Sequence, residues 1–274
     1  VDRLFQLHAG WMLMRTYRPI PALALVRREL VSTLRRPRSF VFLSAFALAC
    51  IGVALANWPA QGLTLQMAGN TSRDVFMVLA GVIWAAAVLL VPGLAAGAIS
   101  LEREQDTYDQ LILSLISPTG IVTAKLLNAV GYFLLLSVSV APAISAVLFL
   151  VGLDAAQIVH TAVIICLSLL TSASIGLACS AAIPRTAPAV IVTYLVVFLT
   201  LGGLGGLMAV GNTIWTRGHI EDEVLAFVPP ALLYLTITEG SAAYLLLLSA
   251  VHHLAIAALC LFVATRCLQR TSRP

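Results

Sequence analysis

Six uncharged, mostly apolar runs constrain this chain more than any other feature: Phe40–Ala56, Val75–Ile99, Leu126–Val151, Ile158–Ile183, Ala187–Val210 and Ala242–Ala264. None of them contains Asp, Glu, Lys or Arg. A helix needs about 20 such residues to cross the hydrocarbon core of a bilayer, where each backbone polar group must be satisfied within the segment. The runs are too long for strands of a membrane barrel and lack the alternation those strands require. Composition agrees: 60% of the 274 residues are hydrophobic and 10% charged, whereas a soluble domain carries about a quarter charged residues. Disordered, collagenous, disulfide-scaffold and soluble-enzyme classes are thereby excluded. The expected fold is all-α, a polytopic membrane protein with six transmembrane helices.

The cationic side chains set the orientation. Eight arginines from Arg3 to Arg38 precede the first run; Arg103, Lys125, Arg185, Arg266, Arg270 and Arg273 fall on the same side, and only Arg73 and Arg217 on the other. By the positive-inside rule this asymmetry places both termini in the cytoplasm, N-in and C-in. Residues 1–39 then form a cytoplasmic segment, 40–267 the transmembrane domain and 268–274 a short tail. The first 39 residues have no central apolar run or small-residue cleavage site, so they do not read as a cleavable signal peptide. Within them Leu23, Val26, Leu30 and Leu34 recur at helical spacing, with Arg27, Arg28 and Arg35 elsewhere around the helix. That pattern suits an amphipathic interface helix on the inner leaflet, its arginines meeting anionic membrane lipids. A plain positive-inside anchor reads the same residues more simply.

Ion-coupled transporters place ionisable groups at membrane depth, and these runs offer none of the acidic or strongly basic kinds. His252 and His253 in the sixth run are the titratable pair that stands out, and such a pair is more often packed than ligating. The sole lysine, Lys125, is not part of a phosphate-binding loop, and neither an HExxH zinc motif nor a GxSxG elbow occurs. The five cysteines form no CxxC pair and read as small hydrophobes. The chain is therefore expected to be non-catalytic, with no cofactor or metal of its own, and to draw its energy from another polypeptide. Two rivals remain open: a metal- or haem-handling membrane protein using His252 and His253, and a secondary transporter.

One cytoplasmic stretch is acidic, with four acids against one base between Leu101 and Leu111. After it, Tyr108, Leu111, Ile112, Leu115 and Ile116 fall on one helical stripe, while Asp106, Asp109, Gln110 and Ser117 share the opposite face with Leu113. The spacing predicts a short helix beneath the bundle, stopped or turned at Pro118. A leucine among carboxylates suits a knob entering a partner's pocket, with basic groups around it. A solvated interfacial helix with one stray leucine is the plainer reading.

From Ile99 through Leu101-Glu102-Arg103-Glu104-Gln105-Asp106-Thr107-Tyr108-Asp109-Gln110-Leu111 to Ser117-Pro118, and on through Ile121-Val122 to Lys125-Leu126-Leu127, the sequence resembles the signature of ABC-2-type permeases. These are membrane subunits of one class of ATP-binding-cassette transporter. Their outline is E-x-E-x-G-T-x-E-x-L-L, a Pro-containing turn, then I-V-x-G-K-L-L. Here Asp106 and Ala124 stand where that outline has glycine. Arg27-Arg28-Glu29-Leu30 followed by Leu34-Arg35-Arg36-Pro37 is similar to the family's leading interface helix, and Phe227-Val228-Pro229-Pro230 to the stretch before its last span.

The resemblance implies a permease subunit of an exporter in a prokaryotic inner or plasma membrane. Its coupling segment, residues 100–120, and its leading helix would contact a separate cytoplasmic ABC ATPase that binds ATP and magnesium. A second permease copy, as a homodimer or with a close paralogue, completes the transporter; no nucleic-acid partner is expected. The implied docking residues are Glu102, Arg103, Glu104, Asp106, Thr107, Asp109, Gln110, Leu113, Ser117 and Pro118, with Arg27, Arg28, Glu29, Arg35 and Arg36 on the leading helix.

Other features are local. Gly202 and Gly206 form a GxxxG pair in the fifth run, suited to helix packing within the subunit or at a dimer seam. Ser168, Thr171, Ser172, Ser174 and Ser180 suit tight contacts of the fourth. Residues 211–241 are too long for a simple turn and turn apolar around Pro229-Pro230, which predicts a short outer helical hairpin.

Overall fold

The computed structural model describes residues 26–28, 31, 35, 37–56, 65–107, 117–148, 154–203, 222–238, 240 and 243–271. Among these residues the chain is helical and contains no strand. Helix α1 spans Pro37–Ala56, α2 Leu65–Glu104, α3 Pro118–Leu148, α4 Ala155–Ala182 and α5 Thr186–Phe198, the last running into a π-turn at Leu199–Gly203. Two short helices follow, α6 Asp222–Leu225 and α7 Pro229–Thr238, and then α8 Ala243–Thr271.

Five helices are long and apolar enough to cross a membrane: α2, α3, α4, α5 with its π-turn, and α8. The first expected run lies in α1, where the apolar stretch Leu43–Ala56 is shorter than the others. Helix ends differ from the apolar runs because capping, not hydropathy, sets them. At 40 residues, α2 is about 60 Å long, roughly twice the hydrocarbon thickness. The third helix begins at Pro118, eight residues before its apolar run. Ser117 Oγ accepts the Gly120 N–H at 3.1 Å, and Pro118 takes the first helical position, where a missing N–H costs nothing. Ser117-Pro118 therefore starts α3. Between α4 and α5, Ile183 and Arg185 are both extended, as Pro184 demands of the residue before it.

The fourth helix is the centre of the bundle and packs on α2, α8, α5, α7 and α3. Its residues from Thr171 to Leu177 are buried without a break, as expected of a helix surrounded on all sides. Small and hydroxylic side chains there let its neighbours come close. Against it, α2 presents Leu79, Ile83, Ala87, Val91, Ala95 and Ile99, a buried row at four-residue spacing. Two polar links reinforce the contact. Trp84 Nε1 donates to Ser168 Oγ at 3.2 Å, and Ser180 Oγ accepts the backbone N–H groups of Ile99 and Ser100 at 2.9 and 3.0 Å. Outward faces carry Leu247, Val251, Leu259 and Phe262 of α8 exposed, a surface suited to lipid.

At the end of the bundle where α2 begins, α7 packs on α4 and α2. Its last carbonyls accept from Arg73 of α2 and Gln157 of α4, at Thr238 and Ile237, each at 3.5 Å. Gln157 also accepts the Asp154 N–H at 3.2 Å, closing the start of α4.

Candidate functional site

The acidic motif lies at the opposite end, where α2 stops. Residues 101–104 are the last turn of α2 and not part of a separate helix. The stop is a Schellman motif: the Thr107 N–H donates to the Glu102 carbonyl at 3.0 Å and the Asp106 N–H to the Arg103 carbonyl at 3.3 Å. Asp106 occupies the left-handed position with φ 54°. That position favours glycine, and Asp is among the few other residues that tolerate it. Helix α2 thus stops before Asp106, and the helix expected from Tyr108 to Ile116 lies outside the described residues. Of its docking residues, Asp109, Gln110 and Leu113 lie outside the described residues.

The two glutamates reach different neighbours. Glu102 pairs with Lys125 of α3, whose side chain is 6% exposed against 22% for the glutamate. Glu104 accepts from Thr186 at the start of α5 through both oxygens, the backbone N–H at 2.8 Å and the hydroxyl at 2.9 Å. A carboxylate at a helix N-terminus answers otherwise unpaired N–H groups and the positive end of the helix dipole. Positions two apart on a helix point nearly opposite ways, so one turn of α2 is tied to α3 on one side and α5 on the other. Arg103, between them, is half-buried, whereas Asp106 is exposed. Glu102 and Glu104, which the resemblance implies as docking residues, both have partners within the chain.

Elsewhere in the motif set, Arg27, Arg28 and Arg35 are exposed, while Glu29 and Arg36 lie outside the described residues. Gly202 is described and Gly206 is not. A side chain at Gly202 would meet nothing within 4 Å, so none of the other described helices approaches it. The close crossing is at Gly176, which the sequence reading missed although Gly176 and Ser180 form a small-xxx-small pair.

The histidine pair is built into packing. His253 is 2% exposed, with its Nδ1 2.8 Å from the Ser249 carbonyl oxygen. His252 meets Phe227 and His253 edge-on, at ring separations of 5.0 and 5.3 Å. Among the described residues no group of three or more His, Cys, Asp or Glu side chains is placed to hold a metal ion.

Long apolar helices around a buried small-residue helix, with carboxylates tying three helices at one end, define an integral membrane protein of the helical-bundle class. The family model for ABC-2 type transporters matches residues 22–216, more than two-thirds of the chain. The chain belongs to the ABC-2 type transporter family, as a membrane permease subunit. No curated protein matches it. Members of this family are generally non-catalytic membrane components that work with an ATPase.

Proposed function

We propose that this chain is the permease of an exporter in a prokaryotic inner membrane, driven by a separate cytoplasmic ATPase that binds ATP and magnesium. It crosses the membrane six times with both termini inside, and it pairs with a second copy or a close paralogue. The charge asymmetry supports this orientation, since the arginines cluster on the side of Glu104 and Lys125. A 20-residue α1, about 30 Å long, has the length for the sixth crossing. The open face of α5, where Ile191, Leu195 and Phe198 are exposed beside Gly202, suits a second permease.

One observation carries the ATPase reading. The segment between α2 and α3 is held at both ends, by the Schellman stop at Asp106 and the Ser117 cap, and between them lie Asp109, Gln110 and Leu113. A segment anchored at both ends transmits force into two helices at once. ATP-driven closure of the ATPases pushes on it, and the rigid α2–α4 pair carries the motion across the bilayer. The test is co-purification with a co-expressed ATPase encoded beside this chain. Asp106→Lys with Asp109→Lys and Leu113→Asp is expected to abolish recovery of the ATPase. Undiminished recovery removes the docking surface, and transport by the solitary chain in vesicles removes the whole reading.

A further inference from the structure

The two carboxylates at the end of α2 do unequal work. Glu102 and Lys125 form a half-buried pair that fixes α2 to α3, the two helices flanking the 105–117 segment. Glu104 instead reaches α5 and holds it by the N–H and hydroxyl of Thr186, in an exposed setting. Helix α4 is fused to α2 by the Gly176 crossing, the Trp84–Ser168 bond and the Ser180 bonds. By contrast, α5 is attached to α2 at two polar points: Thr186 at its first residue, and Tyr194, whose hydroxyl donates to the Leu89 carbonyl. That second point adjoins Pro92, where α2 lacks one backbone donor. Tyr194 also sits in the space left by Gly93, since a Cβ there would be 2.7 Å from its hydroxyl oxygen. Beyond it the helix loosens into the π-turn Leu199–Gly203.

This is the layout of a lever with a handle at Thr186, a fulcrum at Tyr194 and a far arm ending in the π-turn. We propose that Glu104 is the positioning residue through which movement at the end of α2 reaches α5, with Tyr194 on the Leu89 carbonyl as the pivot. The inference rests on the ATPase-driven reading above and adds the route by which the motion leaves α2.

The experiment uses the full chain with its ATPase in lipid nanodiscs, in a background lacking the native cysteines. Spin labels are placed at Ala187→Cys or Phe198→Cys on α5, each paired with Leu259→Cys on α8. Adding ATP and vanadate is expected to shift the two α5 positions in opposite senses, because they flank the pivot. Read in complexes that have kept the ATPase through purification, Glu104→Ala is expected to lose both shifts while thermal stability stays close to wild type. Glu104→Gln, which keeps an acceptor for the Thr186 N–H, is expected to retain a partial shift. Should Glu104→Ala fail to fold, Thr186→Val removes the hydroxyl bond alone and is expected to weaken the shifts. Full shifts in the alanine variant, or in Thr186→Val where that is the variant read, overturn the lever and leave the ATPase reading standing. A wild type that hydrolyses ATP without any shift overturns the lever alone, and one that binds no ATPase overturns both.

Discussion

Gly176 of α4 lies against the backbone of α2 at Pro92: a Cβ at position 176 would sit 2.8 Å from the Pro92 carbonyl oxygen and 2.7 Å from the Ala95 Cβ. Both neighbours are held in a helix, so neither can yield without moving the helix. Gly176→Ala is therefore expected to destabilise the bundle by about 1–3 kcal/mol through overpacking, and Gly176→Leu to prevent folding. Thermal unfolding in detergent measures this. An alanine variant as stable as the parent would show that the two helices are not pressed together. The same substitution at Gly202, whose surroundings are open, is expected to leave the isolated subunit's stability unchanged or raised.

The Glu102–Lys125 pair makes a second prediction. Lys125 is nearly buried, so removing its partner leaves a charge in a poorly solvated place. Breaking a buried pair costs about 3–5 kcal/mol, and the partial exposure of Glu102 puts this one toward the lower end. Glu102→Gln and Lys125→Met are each expected to lower the unfolding temperature, and the double variant is expected to lose less than the sum of the two. Strict additivity in that cycle, measured in the same detergent, would mean that the two side chains do not interact.

Asp106 supports a prediction of the opposite sign. Its left-handed backbone, φ 54°, costs a side-chain-bearing residue about 1 kcal/mol relative to glycine. Asp106→Gly is expected to raise stability by up to about that amount, and Asp106→Val to lower it by more. Circular dichroism melts of the two variants would show it; a stabilising valine would be incompatible with the helix stop described here.

Much of the bundle was legible because hydrocarbon is an intolerant solvent. A run such as Val75–Ile99 has few alternatives, and it lies wholly inside α2. Helix ends were less legible. The apolar run of α2 ends at Ile99, yet the helix continues to Glu104 and turns only at Asp106, and neither hydropathy nor periodicity carries information about one left-handed residue. The glycine of the ABC-2 outline at that position was the available clue, since a helix stop of this kind favours glycine there. The destinations of Glu102 and Glu104 were hidden for a different reason. Their partners are 23 and 82 residues away, and spacing along a chain does not say which helix lies beside which. Gly176 was overlooked because Gly202-Gly203-Leu204-Gly205-Gly206 is the louder glycine signal, although the chain's own close packing uses the quieter one.

Gly93 and Tyr194 provide the sharpest test of how α5 meets α2. A Cβ at Gly93 would be 2.7 Å from the Tyr194 hydroxyl oxygen but 3.6 Å from the ring carbon that bears it. The conflict is therefore with the hydroxyl alone, and the ring carbon is at ordinary contact distance. Tyr194→Phe loses the bond to the Leu89 carbonyl, which costs about 1 kcal/mol. Gly93→Ala in the parent pushes against a hydroxyl held by that bond, and it is expected to destabilise by a comparable or larger amount. In the Tyr194→Phe background the same alanine has room, and replacing glycine within a helix favours the folded state by about 0.5–1 kcal/mol. The second substitution is thus expected to change sign between the two backgrounds. Unfolding temperatures of the four proteins measure the effect directly. An alanine equally damaging with and without the hydroxyl would place the obstruction elsewhere and remove Tyr194 as the contact that seats α5 on α2.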